Sequence, residues 1–593
     1  MNSASKVLSN VQQSGGIVSH GEGLGYDSIL DAVYDYIADN SDSKTMTTTA
    51  AGIKLRQERI LTLIKEYVET TKPAVNKTKD MHYTLTELQI KLEEDITQYG
   101  PLTPAYVDPE VSEIQINDFQ TIWVEKSGKL QIMTDEITGV RVKFKNQQEC
   151  FKIIQRLLRN SKAQFSKENT IAKGRTLEGY RIAAVHAEAT AGEKGRYQSR
   201  EPSPSCVIRK FPESNFTAKD LVGFKSMSCE MANALSLLPK VDITALVVGP
   251  TGSGKTVLVQ LIMNNIPSDM RIYATENPSE LGIKQYNEKG EPTNNVVQYE
   301  SLADETEADK KNASRHTAIA LMMQALRMTP HYFVFGEVRF NEEINQAVVA
   351  ANTGHKFLTT THAPDDAGAI RRFVNAVIAC NPGIPVNTVI EDVCANVDFV
   401  ICQEKKWDRS RKVMHITEVC GVEYRDGMAV PKLNRVFEFL PERKQPGDTA
   451  IRGSHWQVND FSDAMKARMM SSIMDITEYD LLAKSLERDK DGKPIKRIGH
   501  YCPDLVLDMA DKDRERAVRN MLVKSLKVIP ESDWNDFFPD TFKDIIEHGV
   551  EYGDVGEGSQ TKETRVARAV TILDEQADKK GEELDLDELE GMF

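Results

Sequence analysis

The chain has 593 residues, of which 40% are hydrophobic and 27% charged, and its formal net charge is −15. At about 150 residues per domain, this length predicts a globular protein of three or four domains. No apolar run approaches the ~18–20 residues of a membrane span, and no signal-peptide segment opens the chain, so we expect a soluble, cytoplasmic protein. The acidic balance argues against non-specific coating of nucleic acid.

The cysteines are scattered and include no Cys-x-x-Cys pair. Disulfide frameworks and cysteine-based zinc sites place their cysteines at short, regular spacings. The pattern therefore argues against both. The eight cysteines are at positions 150, 206, 229, 380, 394, 402, 420 and 502.

The N-terminal part of the chain changes its periodicity twice. Residues 1–50 are rich in Ser, Gly, Asp and Thr and are expected to form a mobile tail, with one short amphipathic helical stretch around 29–37. Apolar residues recur at spacings of three and four over 53–99, which predicts helices. The period then becomes two, which predicts a small α+β domain over 101–222. In it we expect strands and a hairpin over 114–132, a helix over 146–160, and strands at 181–184 and 206–210.

Beyond residue 243, short apolar strands alternate with helical stretches. This alternation predicts an α/β fold with a mostly parallel sheet that is covered on both faces. After about residue 471 the chain is expected to be helical and charged, and it ends in an acidic segment. The expected strands are 245–248, 271–275, 332–335, 357–361 and 399–402.

Residues 249–256 read Gly-Pro-Thr-Gly-Ser-Gly-Lys-Thr, which fits the phosphate-binding pattern GxxxxGK[ST] between a strand and a helix. The glycines allow backbone N–H groups to face a phosphate, and the helix adds its positive end. Lys255 is suited to the β and γ phosphates, and the Thr256 hydroxyl to Mg²⁺. ATP is favoured over GTP because no Asn-Lys-x-Asp base reader follows. The predicted nucleotide ligands are Gly249, Thr251, Gly252, Ser253, Gly254, Lys255 and Thr256.

Three further polar residues follow later strands. Glu276 ends one strand, Glu337 follows the next, and His362 ends the one after that. Each alone has a commoner explanation, because an acid after a strand often caps a helix and a lone histidine is usually structural. Four motifs in this order, each at a strand end, are more specific.

Together these blocks resemble the secretion-superfamily ATPases, which drive type II secretion, type IV pilus assembly or retraction, and type IV secretion including conjugation. That family calls the blocks Walker A, Asp box, Walker B and His box. The resemblance spans about 88–471. Upstream blocks at 100–102, 112–117, 175–181 and 208–211 look most like the Tad (Flp-pilus) branch and its type IV secretion relatives.

The resemblance implies a RecA-like P-loop NTPase domain after a small α+β (PAS-like) domain. Glu276 would be the general base, Glu337 would hold Mg²⁺ through water, and His362 would sense the γ-phosphate. Arg175 and Arg209, near Arg181, would close over the nucleotide as arginine fingers, unless they only pair with surface acids. The expected domains are a tail (1–50), a helical segment (51–100), the α+β domain (101–222), the ATPase domain (223–471), a helical extension (472–573) and an acidic tail (574–593).

Three positions depart from the family pattern. Asn277 stands where the Asp box usually has Asp, which leaves Glu276 as the only base candidate there. His331 replaces the usual Asp before Walker B, and Phe340 stands where Asp or Gly is common. The residues expected to bind ATP and Mg²⁺ all remain, so we favour an active enzyme.

The resemblance also implies partners. It suggests a homo-oligomer, with a hexamer as the family's form, working at the cytoplasmic face of the inner membrane. Association with the membrane would run through a platform or secretion-channel protein, and direct nucleic-acid binding is not expected. Two alternatives stay open, a RecA-type nucleic-acid motor and a non-catalytic ATP-binding ring. The sequence does not distinguish pilus extension, retraction, protein export and DNA export.

Overall fold

The fold is given by a computed structural model in which the chain divides into two compact units, residues 1–214 and 215–593. Each unit is described by itself. The structure describes residues 24–40, 50–78, 81–126, 128–135, 137–161, 163–190, 193–194, 199–200, 202–210, 216–276, 281–287, 291–301, 317–507, 521–522, 524–525 and 528–530. The acidic tail and most of the expected helical extension lie outside these residues, and the proposed domain boundaries stay a prediction.

The first unit begins with three helices, α1 (Tyr26–Asn40), α2 (Ala50–Thr71) and α3 (Leu85–Thr97). Ile29, Val33 and Ile37 are buried and pack in one cluster with side chains of α2 and α3. The helix predicted around 29–37 is therefore confirmed, and the mobile-tail prediction is wrong for α1, because its apolar face is covered by its neighbours. Residues 1–23 and 41–49 of the predicted tail lie outside the described residues.

A six-stranded antiparallel sheet follows, in the order β5-β4-β3-β10-β7-β6. One face packs on helix α5 (Gln147–Leu158), which begins after the Asn146 side chain accepts a hydrogen bond from the Glu149 amide. The predicted hairpin and helix are thereby confirmed. The remaining elements are β1 (Asn76–Thr78), β2 (Met81–His82), α4 (Thr103–Val107), β3 (Val111–Asp118), β4 (Thr121–Lys126), β5 (Lys129–Ile132), β6 (Ile171–Arg175), β7 (Arg181–Val185), β8 (Glu193–Lys194), β9 (Ser199–Arg200) and β10 (Ser205–Arg209).

The second unit is built on a ten-stranded sheet in the order β13-β12-β14-β15-β11-β16-β17-β18-β19-β20. The strands from β13 to β16 run parallel. Successive residues of β11 belong to different apolar clusters, so this half of the sheet is buried on both faces, as predicted. Its strands are β11 (Ala245–Val248), β12 (Ile272–Glu276), β13 (Val296–Glu300), β14 (Tyr332–Phe335), β15 (Lys356–Thr361) and β16 (Phe399–Lys405).

The other half of this sheet is antiparallel and was not predicted. β17 (Arg411–Arg425) and β18 (Met428–Pro441) form a long hairpin beside β16, and β19 (Gly453–Gln457) and β20 (Arg497–Ile498) complete the edge. The turn between β17 and β18 is Asp426-Gly427, and both residues have positive φ, 51° and 79°. Asp-Gly in such a two-residue turn is a strong hairpin signal that the sequence analysis overlooked.

Helices flank the sheet of the second unit. The helical extension expected after residue 471 differs from the structure, because residues 484–507 include β20, which pairs with β19 at the sheet edge. Among the described residues, no helix has the length and apolar character to cross a membrane. The helices are α6 (Ala218–Gly223), α7 (Cys229–Leu237), α8 (Lys255–Met263), α9 (Ala318–Ala325), α10 (Asn341–Asn352), α11 (Asp366–Cys380), α12 (Val386–Asn396), α13 (Asp463–Met470) and α14 (Ile476–Ala483).

The hairpin turn gives a test of this fold. Gly427→Ala puts a Cβ on a left-handed residue and is expected to cost about 1–2 kcal/mol. For a domain of this size, the melting temperature should fall by about 2–4 °C for each kcal/mol, as followed by circular dichroism. The matched variant Asp426→Asn should leave it nearly unchanged, because Asn also tolerates this conformation. Equal effects of the two variants would contradict the turn assignment.

Candidate active site

Four sequence motifs meet at one edge of the second unit's sheet. Each follows a parallel strand: the glycine-rich loop follows β11, Glu276 ends β12, Glu337 follows β14, and His362 follows β15. The carboxyl ends of parallel strands share an edge, where α/β proteins commonly bind ligands. The topology therefore brings together side chains that are more than a hundred residues apart in the sequence.

At two positions of the loop after β11, only glycine is compatible with both the backbone conformation and the close neighbours. Gly249 and Gly254 have φ values of 148° and 95°. A Cβ on Gly249 would lie 1.9 Å from the Gln403 carbonyl oxygen, and one on Gly254 would lie 3.1 Å from Cδ of Arg411. The loop is therefore packed closely against β16 and β17. Its tip, Thr251 and Gly252, is exposed.

The donors of this loop fit a polyphosphate. Lys255 is buried, and its Nζ donates to the carbonyl oxygens of Gly249 (3.0 Å) and Pro250 (3.1 Å). Ser253 is fully buried, and its Oγ has no hydrogen-bond partner among the described residues. Helix α8 begins at Lys255 without a side-chain cap, so its first N–H groups face the loop. Thr256, the next residue of α8, is half-buried.

Charge also converges on Lys255. Burial lowers the pKa of its ammonium group, and the nearby carboxylate of Glu337 opposes that shift. A buried cation held only by carbonyl dipoles is a strong site for an anion. The residues present therefore fit a nucleoside triphosphate.

His362 joins two of the motifs. Its Nδ1 lies 3.1 Å from the carbonyl oxygen of Gly249, and its Nε2 lies 2.9 Å from Oε1 of Glu337. Nδ1 must donate, because a carbonyl oxygen only accepts. The other carboxylate oxygen of Glu337 accepts from Nε of Arg339 at 2.7 Å. The imidazole thus connects the glycine-rich loop with the acid after β14.

Glu276 is 4% exposed and is fixed at both carboxylate oxygens. Oε2 accepts from the Leu281 amide at 2.9 Å, and Oε1 accepts from Nε2 of Gln298 at 3.0 Å. Gly336 lies against it, because a Cβ on Gly336 would be 2.9 Å from the Glu276 Cγ. A carboxylate held at both oxygens in this way is fixed in position.

The antiparallel half of the sheet supports the site with residues that the sequence analysis missed. Nε of Arg411, at the start of β17, donates to the Gly252 carbonyl at 3.0 Å. Asp366, at the start of α11 just after His362, accepts from Nε (2.7 Å) and Nη2 (3.1 Å) of Arg435 on β18. Burial alone would raise the pKa of Asp366, but hydrogen bonds from Arg435 and Thr417 outweigh it and hold this pKa at about 2. The sequence analysis missed Arg411 and Arg435 because it did not predict the hairpin on which they lie.

The predicted arginines lie in the first unit, where the sheet register aligns them. Arg175 on β6 is the cross-strand partner of Arg181 on β7, which in turn is the partner of Arg209 on β10. Arg209 also pairs with Glu113, with Nε and Oε2 3.2 Å apart. The row lies on the face of the sheet opposite Ile208 and its core neighbours. Glu125 on β4 is in turn the cross-strand partner of Glu113, so the row of three arginines continues into two carboxylates.

The departures from the family pattern fall in different places. Asn277 lies outside the described residues. His331 precedes β14, at the edge of the sheet opposite the site, where its Nδ1 accepts from the Arg271 amide at 2.9 Å. Phe340 is 65% exposed at the start of α10. Neither His331 nor Phe340 replaces a group at the glycine-rich loop.

The contact between Gly336 and Glu276 predicts the effect of a small substitution. Gly336→Ala should displace the Glu276 carboxylate and lower phosphate release from ATP at least tenfold, since a misplaced catalytic group costs much of its effect. The control is Gly282→Ala, whose Cβ would meet only Nε2 of Gln260 at 3.7 Å. Equal rates in the two variants would show that the position of Glu276 does not matter.

The chain is similar to proteins of one known family. Residues 97–421 match the family described as "Type II/IV secretion system protein". An uncharacterized protein of Methanocaldococcus jannaschii is 26% identical over 294 residues, or 49% of this chain and 47% of that protein. A second one from that organism is 31% identical over 38% of this chain and 75% of its own length. The type IV pilus assembly ATPase PilB of Pseudomonas aeruginosa is 31% identical over 29% of this chain and 27% of its own length.

Solved structures give weaker likenesses. The VirB11 ATPase of the Brucella suis type IV secretion system is 21% identical, covering 53% of this chain and 94% of that chain with a TM-score of 0.26. The Legionella pneumophila ATPase DotB is also 21% identical, covering 51% and 75% with a TM-score of 0.35. The chain spans about half the length of the first relative and about a quarter of PilB. Because the family match covers more than half of its residues, the chain belongs to the type II/IV secretion system protein family.

Proposed function

We propose that this chain is a Mg²⁺-dependent ATPase that powers a pilus or secretion machine. The observation that carries the proposal is the contact of His362 with both the Gly249 carbonyl and the Glu337 carboxylate, beside the buried Lys255. A glycine-rich loop that merely turned a corner would need neither the acid nor the buried cation. We take the second unit to be the RecA-like ATPase domain, and the sheet of the first to be the PAS-like domain.

The groups that would bind the phosphates and Mg²⁺ have separate proposed roles. The backbone N–H groups of residues 249–256 and the Lys255 ammonium bind the phosphates. The Thr256 hydroxyl would hold Mg²⁺ directly, and Glu337 would hold it through water. The ion, when bound, neutralises charge that develops on the phosphate oxygens.

The proton-handling groups surround this loop. Glu276, buried and fixed at both oxygens, orients the attacking water and accepts its proton. His362 exchanges its contact with Gly249 or Glu337 for the γ-phosphate, and so reports whether the phosphate is present. A group with different contacts in two states can bias a conformational change.

The arginine row of the first unit supplies the remaining charge. Arg175 and Arg209 would close over a nucleotide in the same chain or in a neighbouring copy, as the family resemblance implies. We propose a homo-oligomer, a hexamer by resemblance, at the cytoplasmic face of the inner membrane. Its stroke would act on a platform or secretion-channel protein, with no direct contact to nucleic acid.

Phosphate release from ATP and Mg²⁺ tests the proposal. Lys255→Ala and Glu337→Gln should each lower the rate by about 10²–10³-fold, because the first removes positive charge at the transferring phosphate and the second weakens the hold on Mg²⁺. Lys432→Ala and Glu442→Gln remove exposed charges of the same kinds, from β18 and from the residue after it, and should stay within twofold of wild type. A wild-type rate no higher than that of Lys255→Ala would make the chain a non-catalytic binder. Strong stimulation by single-stranded DNA would favour a nucleic-acid motor.

The arginine row predicts a separate effect. Arg209→Ala and Arg175→Ala should each lower kcat at least tenfold, because an arginine finger acts on charge that develops only during phosphoryl transfer. The control is Arg59→Ala, which removes an arginine that pairs with Glu66 on α2 of the same unit. If both variants retain the wild-type kcat, the row serves only the first unit's own structure.

A further inference from the structure

A thiol, a carboxylate and an imidazole meet in the second unit away from the glycine-rich loop. Cys229 and Glu230 form the first turn of α7, and His500 follows the edge strand β20. Their candidate ligand atoms all lie within 4.8 Å of one another. β20 is five places from β11 in the sheet order, and within the described residues no other three such side chains converge in this way.

The backbone holds this cluster at several points. The Cys229 amide donates to the His500 carbonyl at 2.9 Å, and the His500 amide donates to Oε2 of Glu230 at 3.1 Å. A Cβ on Gly499 would lie 2.5 Å from the Cβ of Ser228, so only glycine allows the two segments to approach so closely. The fold therefore places the three side chains close together, whatever contacts they make with one another.

The burial of these three side chains bears on which ligand they can bind. Cys229 is fully buried, and the side chains of Glu230 and His500 are 15% and 18% exposed. Nδ1 of His500 lies 2.6 Å from Oε1 of Glu230, an ion pair that would by itself join the two segments. Such a pair needs no thiol, whereas sulfur, nitrogen and carboxylate oxygen together are the donor set of zinc.

We propose that Cys229, Glu230 and His500 bind a zinc ion that fastens the segment after β20 to the start of α7. The Cys229 thiol loses its proton to solvent as the zinc–sulfur bond forms. The fourth position of a tetrahedral site would be open to water or to the thiol of Cys502, which lies two residues after His500 and packs against the same core. The sequence prediction against a cysteine-based zinc site considered only ligands at short, regular spacings, whereas these ligands come from distant segments.

Cobalt is a direct probe of the site. The full chain, stripped of metal and free of nucleotide, should bind one equivalent of Co²⁺ with a thiolate-to-cobalt charge-transfer absorption that Zn²⁺ abolishes. The glycine-rich loop cannot produce this band because it contains no cysteine. Cys229→Ser should remove the band, whereas Cys394→Ser, a buried cysteine on α12, should keep it. No band in the wild-type chain, or an unchanged band in Cys229→Ser, overturns the proposal.

A second variant covers the case in which Cys229→Ser fails to fold. His500→Gln keeps both thiols and should weaken Zn²⁺ binding at least tenfold, measured by competition with a chromophoric chelator. Zn²⁺ should also raise the melting temperature of the wild-type chain, since it binds only the folded state, and should raise that of His500→Gln less. Equal zinc affinities of wild type and His500→Gln leave the cluster as a plain Glu–His ion pair and overturn the proposal.

Discussion

The site depends on one physical constraint, the bridging position of the His362 imidazole. Its two nitrogens face the Gly249 carbonyl and the Glu337 carboxylate, so the loop that surrounds Lys255 and the acid after β14 cannot move independently. Both partners are oxygen acceptors, so each ring nitrogen faces an acceptor. A bound phosphate would compete for the same contacts. A phosphate at the loop would therefore act on contacts that extend two strands away.

The parallel strands alone do not fix this arrangement. The antiparallel hairpin of β17 and β18 adds contacts from the side, with Arg411 on the loop tip and Arg435 on Asp366. The Asp366–Arg435 pair is largely buried on its acidic side and is hydrogen-bonded through two guanidinium nitrogens, which is the geometry in which a buried ion pair orients its neighbours. Since α11 begins beside His362, this pair also limits where the imidazole can lie.

The positively charged residues discussed above lie in both units. The second unit buries Lys255 with the Glu337 carboxylate nearby, and the first aligns Arg175, Arg181 and Arg209 across three strands. Like charges placed directly across a sheet are unfavourable unless an anion lies near them, and Glu113 and Glu125 continue the row with two carboxylates.

Elements whose sequence patterns span only a few residues could be predicted from the sequence alone. The glycine-rich loop, the buried strands β11, β14 and β16, and helix α5 were predictable because apolar periodicity acts within a few residues. The same patterns located Lys255, Glu276, Glu337 and His362 at strand ends. The Asp426-Gly427 turn was equally local, and it was missed because its flanking strands carry many polar residues.

Contacts between residues that are distant in the sequence could be identified only from the folded chain. The alignment of Arg175 with Arg209 depends on strand register, and the meeting of Glu230 with His500 joins residues 270 apart in the chain. The contact of His362 with Gly249 required the strand order β15-β11. Register and strand order are set by packing over the whole core, so no short stretch of sequence carries them.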